Sequence, residues 1–406
     1  MIDINMSFNK ELDKQLNVLA KELDITKTQH DNLTTSYQAV GKYLEEDPAF
    51  EDYHPVVSPQ GSLRLGTIIQ PVNEDDDLDV DLVFRLTDKH PSWTQKDIKD
   101  KVGMRLSDHK TYRNMMDEEG RRCWTLLYRQ NTNNTKERYH MDILPCIADK
   151  AHMENIMRMA KGGFSVSEIS KIAIRITDKE RQDYTYSTRY RDWLISNPDG
   201  YALWFTSRCK LSVLSRQLTF EAIMPIGKYT EQKTVLQQIV QILKRHRDIQ
   251  CGSDEDKPIS IIITTLAGKA YNGEATLLEG LCNVIDKMEN YIEKDNSGRY
   301  SIKNPVNDKE NFADKWESHP QRCMKFFDWL NKLKRDKAQI LNSRGVQLRE
   351  TLSAAFGKDK IDKIFAASMD EYKKKEGNNQ LKVATTGLLG GVGAKLNASN
   401  TFFGEE

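Results

Sequence analysis

The amino-acid sequence predicts an α+β protein, in which a core that contains the strands is preceded by long helices and followed by an all-helical domain. Residues with the alternating pattern of strands are confined to a central region between residues 78 and 177. Apolar residues at helical spacing dominate residues 7–46 and again the chain beyond residue 200. The chain has 406 residues, more than one compact core usually holds, so we expect two domains.

We predict the domain boundaries from where these patterns change. The core with its N-terminal helices takes residues 1–200, the helical domain takes residues 201–375, and a flexible tail takes residues 376–406. The tail is rich in Gly, Asn, Ser and Thr, a composition that buries too little apolar surface to fold by itself.

The first helices are predicted from spacing and capping. Leucine and phenylalanine side chains repeat every three or four residues over residues 7–23. Thr26 and Gln29 have the form of a capping box at the start of a second helix. A third helix is predicted at residues 92–107, with Thr94 as its N-cap.

Further strands follow, and after them only helices. Residues 122–128 and 138–144 predict two strands joined by a turn-rich segment, and residues 172–177 predict another. Beyond these the signals for strands stop. Further helices are predicted at residues 200–217, 230–250, 258–272, 275–295, 318–342 and 359–376.

The composition of the chain restricts the class of substrate and the cellular location that we expect. The 60 basic and 60 acidic residues give a formal net charge of zero, which favours a small substrate over long nucleic acid. No apolar run approaches the roughly 20 residues that span a bilayer, and the N-terminus lacks the pattern of a signal peptide. The six cysteines form no CxxC pair, so we expect reduced thiols and a cytoplasmic protein without a membrane partner.

The central acidic segment predicts a metal site. Asp77, Asp79 and Asp81 alternate with apolar residues, so their side chains share one face of a strand. Neighbouring carboxylates disfavour each other's ionisation, and a dication such as Mg²⁺ removes that penalty. A solvated acidic loop is the alternative, but the alternation argues against it. Which two of the three bind metal stays open; Asp79 and Asp81 are preferred because Asp77 lies among acidic neighbours.

A third carboxylate is available at Asp142, an isolated acid inside an otherwise apolar strand. Nucleotidyl transfer uses two metal ions about 4 Å apart, one on the attacking oxygen and one on the leaving oxygens. Three carboxylates from two neighbouring strands are enough to hold both ions. Asp79, Asp81 and Asp142 are therefore the predicted catalytic and metal-binding residues, for two Mg²⁺ ions that Mn²⁺ can replace.

Phosphate contacts are predicted at three places. Gly61 and Ser62 open a short helix before the acidic strand, where backbone N–H groups and a hydroxyl can meet phosphate; an ordinary turn is the alternative. Lys244 lies in the basic run KRHR, which can equally be a solvated helix end. Ser260 starts a later helix and can donate to phosphate, or serve as a plain N-cap.

These motifs, in this order, resemble the polymerase-β-like nucleotidyltransferases. Within them the chain is most similar to the bacterial cGAS/DncV-like nucleotidyltransferases (CD-NTases), the cyclic-oligonucleotide synthases of CBASS anti-phage defence. The segments that carry the resemblance are QGSLRLGT (60–67), DLDVDLVF (77–84), YHMDILP (139–145), SNPDGYALWF (196–205), LQQIVQILKRHRD (236–248) and KPISIIITTLA (257–267).

The resemblance implies a mixed-sheet nucleotidyltransferase core braced by the N-terminal helices and clasped by the helical domain. It implies metal binding by the three aspartates and nucleotide binding by Gln60, Gly61 and Ser62, with Lys244 and Ser260 as matches in the helical domain. ATP, GTP or both are the implied substrates, joined into a cyclic di- or trinucleotide that activates a separate effector. In some such systems an E1/E2-like protein conjugates the synthase through its C-terminus.

Two other functions remain open on the sequence. A related transferase that modifies a protein, an RNA end or a small molecule would share the three aspartates but release no cyclic product. A non-catalytic nucleotide-binding scaffold belongs to a different class. The intact set of three aspartates argues against a scaffold, because binding without chemistry can dispense with at least one of them.

Overall fold

We describe the protein from a computed structural model. It describes residues 2–72, 77–130, 137–148, 170–211 and 232–377, together with residues 155, 229, 382–383, 389–390 and 395–396. The chain divides into two compact units, residues 1–22 with 335–406, and residues 23–334. Everything described below as the candidate site lies in the second unit. The boundaries predicted after residues 200 and 375 stay predictions.

The helices include long N-terminal ones and a later, mainly helical region. They are α1 (Ile2–Leu23), α2 (Lys27–Glu45), α3 (Gly61–Leu65), α4 (Gln95–Asp108), α5 (Lys110–Arg113), α6 (Pro198–Cys209), α7 (Val235–Cys251), α8 (Ser260–Ala270), α9 (Leu277–Lys287), α10 (Pro320–Asn342), α11 (Gly345–Phe356) and α12 (Lys358–Gly377). Thr26 and Thr94 cap α2 and α4 through complete capping boxes, which confirms both predictions.

A mixed six-stranded sheet forms the core. Its strands are β1 (Val56–Gln60), β2 (Leu78–Leu86), β3 (Trp124–Tyr128), β4 (Tyr139–Ala148), β5 (Ile174–Ile176) and β6 (Leu194–Ser196). They run in the order β1-β2-β4-β5-β6, and β3 also pairs with β4. β2 and β4 are parallel, whereas the other pairs are antiparallel.

The two faces of the sheet have different roles. On one face Val80, Leu82 and Phe84 of β2 belong to the main apolar core, which also contains residues of α2 and α4. The alternate residues of β2 point to the opposite face, and these include Asp79 and Asp81. Burying one face against helices therefore fixes the carboxylates on the other.

The predicted fold class is confirmed, and the sequence missed some elements. No strand was predicted before the acidic segment, yet β1 is present there; it contains Pro59, which is tolerated because β1 lies at the edge of the sheet. α11 and β6 were also missed. The helical region is not purely helical, because β7 (Glu293–Lys294) pairs with β8 (Tyr300–Ser301), and β9 (Lys303–Asn304) pairs with β10 (Asn307–Asn311).

Three further observations bear on the predictions. All six cysteines are free thiols. None of the helices in the described part of the chain is both long and apolar enough to cross a membrane. In the predicted tail, Lys382–Val383 pairs with Leu389–Gly390 and with Lys395–Leu396, whereas the closing Phe402, Phe403 and Gly404 lie outside the described residues.

Candidate active site

The predicted acidic residues meet through the register of two parallel strands. Asp81 of β2 is the direct partner of Asp142 of β4, and Asp79 is the partner of His140. Because paired residues of neighbouring strands point to the same face, all four side chains lie on the face of the sheet opposite the main core. The sequence predicted the three aspartates; the strand pairing brings them together.

Two of the carboxylates show the effect of this crowding. The Thr125 hydroxyl of β3 donates a hydrogen bond to Asp142 Oδ1 at 2.5 Å. Exclusion of water, followed by the negative charges of Asp79 and Asp142, raises the pKa of Asp81 to about 6. The raised pKa of Asp81 therefore reflects its burial first and the two neighbouring carboxylates second.

His140 is a site residue to which the sequence assigned no role. Its Nε2 forms an ion pair with Asp79, and its Nδ1 lies 3.5 Å from Asp77. The hydrogen bond to Asp79 raises the pKa of His140 to about 9, so the imidazole is protonated at neutral pH. Asp77 also accepts a hydrogen bond from Gln130 at 2.7 Å. Asp77 and Asp79 are thus both engaged by neighbouring side chains, and the choice of Asp79 and Asp81 as the metal-binding pair stays a prediction.

The carboxylate oxygens of the site are suitable ligands for Mg²⁺ and lie on the same face of the sheet, although two of the carboxylates contact other side chains. Among the residues that the structure describes, no three acidic, histidine or cysteine side chains form a ready-made metal site. Asp79 is turned to His140, and Asp142 is turned to Thr125. Carboxylate oxygens on one face of adjacent strands are the ligands that Mg²⁺ prefers, and a dication would offset their repulsion.

Gly61 brings the backbone of the predicted phosphate turn against the acidic strand. It follows Gln60, which pairs with Asp81 in the β1–β2 register. Gly61 has a φ of +61°, and a Cβ at this position would lie 2.1 Å from Asp81 Oδ2. Only glycine satisfies both the left-handed backbone and this close approach. The alternative of an ordinary turn does not explain why the backbone of Gly61 lies against the side chain of Asp81.

A cavity of about 830 Å³ unites most of the predicted site. Its lining contains the three predicted catalytic aspartates and four of the five predicted nucleotide-binding residues: Gly61, Ser62, Lys244 and Ser260. Gln60 is the predicted residue that does not line it. The volume lies within the range of 300–1,000 Å³, typical of small-molecule sites.

Helix α7 forms one side of the site and holds the last residue of α3 and the segment that follows it. Four of its side chains donate hydrogen bonds to backbone carbonyls: Gln237 to Leu65 (2.9 Å), Lys244 to Thr67 (3.0 Å), Gln241 to Ile68 (3.0 Å) and Arg245 to Gln70 (2.6 Å). Burial lowers the pKa of Lys244 to about 8, and the charge of Arg247 contributes. The alternative of a solvated basic helix end is wrong, because all four residues of the KRHR run are buried.

Ser260 faces the same cavity through a different contact. Its hydroxyl accepts a hydrogen bond from Arg247 Nη1 at 2.9 Å, and the same nitrogen donates to Pro258 O at 3.0 Å. The N-cap of α8 is Ile259, so the alternative of Ser260 as a plain N-cap is wrong. Arg247, which the sequence did not select, therefore fixes Ser260 at the cavity wall.

Comparison with known proteins gives a consistent picture. Residues 10–179 match the family of the Second Messenger Oligonucleotide or Dinucleotide Synthetase (SMODS) domain. Over 415 aligned positions the chain is 29% identical to a c-di-GMP synthase of Roseivirga ehrenbergii, and the alignment covers 99% of this chain and all of that protein.

Solved structures with the same fold include two nucleotide complexes. The CD-NTase CdnG of Bradyrhizobium diazoefficiens, in complex with GTP, matches with a TM-score of 0.63 at 19% identity over 88% of this chain and 99% of its own. Escherichia coli DncV, bound to 3′-deoxy GTP, matches with a TM-score of 0.54 at 14% identity over 83% of this chain and 92% of its own. The predicted resemblance to CD-NTases is confirmed.

Proposed function

We propose that this nucleotidyltransferase joins two GTP molecules into cyclic di-GMP and releases one pyrophosphate in each of two transfers. The observation that carries the proposal is the pairing of Asp81 with Asp142 on the wall of a cavity that also contains Ser62 and Lys244. The choice of GTP as substrate and of a cyclic product with two nucleotides is supported by similarity to a c-di-GMP synthase over 99% of this chain.

Each part of the site has a task in this reaction. Asp79, Asp81 and Asp142 would hold two Mg²⁺ or Mn²⁺ ions, which supply activation of the attacking ribose hydroxyl and stabilisation of the leaving pyrophosphate. The Gly61–Ser62 turn receives the triphosphate, with N–H and hydroxyl donors close to the acidic strand. Lys244 and Ser260 contribute donors from the other side of the cavity.

The reaction then proceeds twice in one site. A hydroxyl of one ribose attacks the α-phosphate of the second nucleotide, forming one phosphodiester bond and releasing pyrophosphate. The linear intermediate turns so that its remaining triphosphate takes the same place, and the second attack closes the ring. A cavity of about 830 Å³ that is open to solvent gives the intermediate a route to reorient.

The biological setting follows the family resemblance. We place the protein in the cytoplasm as the synthase of a CBASS anti-phage system, whose product activates a separate effector protein. An E1/E2-like protein acting on its C-terminus is a further proposed partner.

The test is product identification. The purified full chain is incubated with each labelled NTP and Mg²⁺ or Mn²⁺, followed by phosphatase treatment and mass spectrometry. We expect a phosphatase-resistant product with the mass of cyclic di-GMP. Asp79→Ala/Asp81→Ala should abolish it, whereas Asp108→Ala, which changes an exposed aspartate outside the cavity, should not. Linear or protein-attached products would instead indicate a different transferase, and product from the double variant would contradict the assigned site.

A further inference from the structure

A second cavity of about 830 Å³ lies next to the first cavity, the one that contains the aspartates. The two share a wall, because Lys257, Pro258, Ile259 and Ile261 line both of them. Other parts of the second cavity are formed by residues of β5, β6, β10 and the start of α10. Its volume also lies in the range that is typical of small-molecule sites. The second cavity can therefore hold a ligand of its own.

The two linings differ in the charges that they present to a ligand. Six acidic side chains and three lysines or arginines line the first cavity. Three acidic side chains and seven lysines or arginines line the second. Phosphate groups in the first cavity therefore need metal ions to offset the carboxylates. In the second cavity, cationic side chains can bind an anion directly.

Arg122 and Arg322 each offer unused donors to the second cavity. Arg122 Nε donates a hydrogen bond to Asp178 at 2.9 Å, and Arg322 Nε donates one to Asp256 at 2.9 Å. Neither carboxylate lines the cavity. Among the described residues, the terminal nitrogens of the two guanidinium groups donate no hydrogen bond, and the two side chains are 42% and 30% exposed. Because each arginine is already paired through Nε, it contributes terminal donors that suit a phosphate, rather than an unneutralised charge.

The acidic side chains of the lining do not occupy these donors. Asp192 is paired with an arginine outside the lining, and Glu310 accepts a hydrogen bond from Asn304 Nδ2 at 2.7 Å. Asp314 is exposed. An anion at the terminal nitrogens of Arg122 would therefore replace no existing hydrogen bond of that arginine to a described residue.

Part of the wall is apolar and aromatic. Ile176, Phe312 and Trp316 line the second cavity, and Phe312 is half-buried. The Phe312 ring makes an edge contact with Tyr201, in which the ring centroids lie 6.1 Å apart. Aromatic side chains provide stacking surfaces for nucleobases. The lining therefore combines donors for phosphate with a surface for a planar ring.

We propose that the second cavity is a binding site for a guanine nucleotide, which it holds without metal. The phosphate groups accept hydrogen bonds from Arg122 and Arg322, and the base lies against Phe312. The substrate GTP and the cyclic product share this chemistry, and the experiment distinguishes them. The choice of guanine rests on the proposed function, whereas the site itself does not.

The test is titration calorimetry of the purified full chain in EDTA, which leaves the first cavity without the metal that it needs. The probes are α,β-methylene-GTP, which cannot release pyrophosphate, cyclic di-GMP, and inorganic pyrophosphate. We expect a single molecule of at least one of the nucleotides to bind per chain. Pyrophosphate should bind more weakly by about fivefold or more, because it lacks the base. The nucleotide that binds more tightly identifies substrate or product as the ligand.

The chain supplies a matched control for the phosphate contact. Arg122→Met should weaken nucleotide binding by about tenfold, because it removes charge-assisted hydrogen bonds. Arg121 holds the same Asp178, at 2.8 Å, but does not line the second cavity, so Arg121→Met should leave binding unchanged. In either variant the buried Asp178 keeps one arginine as its partner. If Arg122→Met does not fold, Arg322→Met provides the same measurement.

Two further variants test the base contact and the location. Phe312→Leu should weaken binding of the nucleotide by about fivefold and binding of pyrophosphate by less than about twofold. Lys244 lines the first cavity and not the second, so Lys244→Met should leave binding in EDTA unchanged.

Several results would overturn the proposal. These are the absence of nucleotide binding in EDTA, equal losses in Arg122→Met and Arg121→Met, loss of binding in Lys244→Met, and pyrophosphate that binds as tightly as both nucleotides. The readout is independent of synthesis. A wild-type protein that binds nucleotide in EDTA but makes no cyclic di-GMP refutes the proposed function alone, whereas synthesis without binding in EDTA refutes this inference alone.

Discussion

Asp81 of β2 lies directly opposite Asp142 of β4 in a parallel pair, so two acids from separate segments share one face of the sheet. The raised pKa of Asp81 reflects exclusion of water first and then the charges of Asp79 and Asp142. The arrangement is unfavourable for a protein without a cation and suited to one that binds metal at this place.

Asp142→Asn should abolish product formation with little loss of stability. The amide keeps the shape of the side chain and its contact with Thr125, but it removes one negative charge from the predicted metal site. We expect synthesis to fall by at least about 10³-fold, while a thermal scan in EDTA shows an unchanged or raised Tm, because repulsion of Asp81 is relieved. A variant that retains more than a tenth of wild-type synthesis would falsify the metal role of Asp142.

Gly61→Ala should inactivate the enzyme through a clash at the phosphate turn. The new Cβ would lie 2.1 Å from Asp81 Oδ2, so the turn and the acidic strand cannot keep their spacing. Positive φ alone costs about 1–2 kcal/mol for alanine. Gly345→Ala is the matched control, since Gly345 has a φ of +53° and no atom within 4 Å of the added Cβ. Synthesis should be lost in the first variant and kept in the second; equal activities would contradict the argument.

His140→Ala should lower the Mg²⁺ concentration needed for half-maximal synthesis. The protonated imidazole is bound to Asp79 and competes with a cation for that carboxylate. Removing the competitor should reduce the required Mg²⁺ by about twofold to fivefold, the range for one charge–charge contact at a protein surface. The measurement is a Mg²⁺ titration of initial rate at fixed GTP. A higher Mg²⁺ requirement would show that His140 supports metal binding instead.

Lys244 should take up a proton when a triphosphate binds. Burial lowers its pKa to about 8, so about half of the molecules carry a neutral lysine at pH 8, and a nearby polyanion raises the pKa and restores the charge. In the unliganded protein the lowered pKa also affects stability. Between pH 8 and the ordinary pKa of lysine, the unfolded chain binds more protons than the folded protein, so the free energy of unfolding due to this group increases as pH rises through that range.

Calorimetry at pH 8 in two buffers with different ionisation enthalpies measures that uptake. We expect about half a proton more for the wild type than for Lys244→Met on binding α,β-methylene-GTP. Lys257→Met is the control, because Lys257 lines the same cavity and is not buried. If the wild type and Lys244→Met take up the same number of protons, Lys244 does not change its protonation state when the triphosphate binds.

Local sequence patterns were sufficient to predict much of the fold and to identify the candidate site residues. Thr26 and Thr94 each bond to a residue three positions along the chain, and both cap their helices as predicted, although only the capping box at Thr26 was itself predicted. Alternation along β2 determined that Asp79 and Asp81 share a face. Each of these features depends on residues within one helical turn or one strand. Over that distance, the regular period of the helix or strand determines which residues lie side by side.

Other features depend on contacts between distant segments, and sequence spacing does not report them. The burial of Arg245 and Arg247 follows from carbonyl acceptors outside α7, at Gln70 and Pro258. β1 contains a proline that is acceptable only because the strand lies at the sheet edge.

The sequence by itself determined which side chains are available for chemistry: the alternating aspartates, the isolated Asp142 and the Gly61–Ser62 turn. Only the tertiary structure decided that Asp142 is the partner of Asp81, that His140 reaches Asp79, and that Asp178 holds Arg122. The physical reason is that strand register and buried ion pairs are fixed by packing of the whole sheet against its helices. No local periodicity specifies which distant segment will supply the partner.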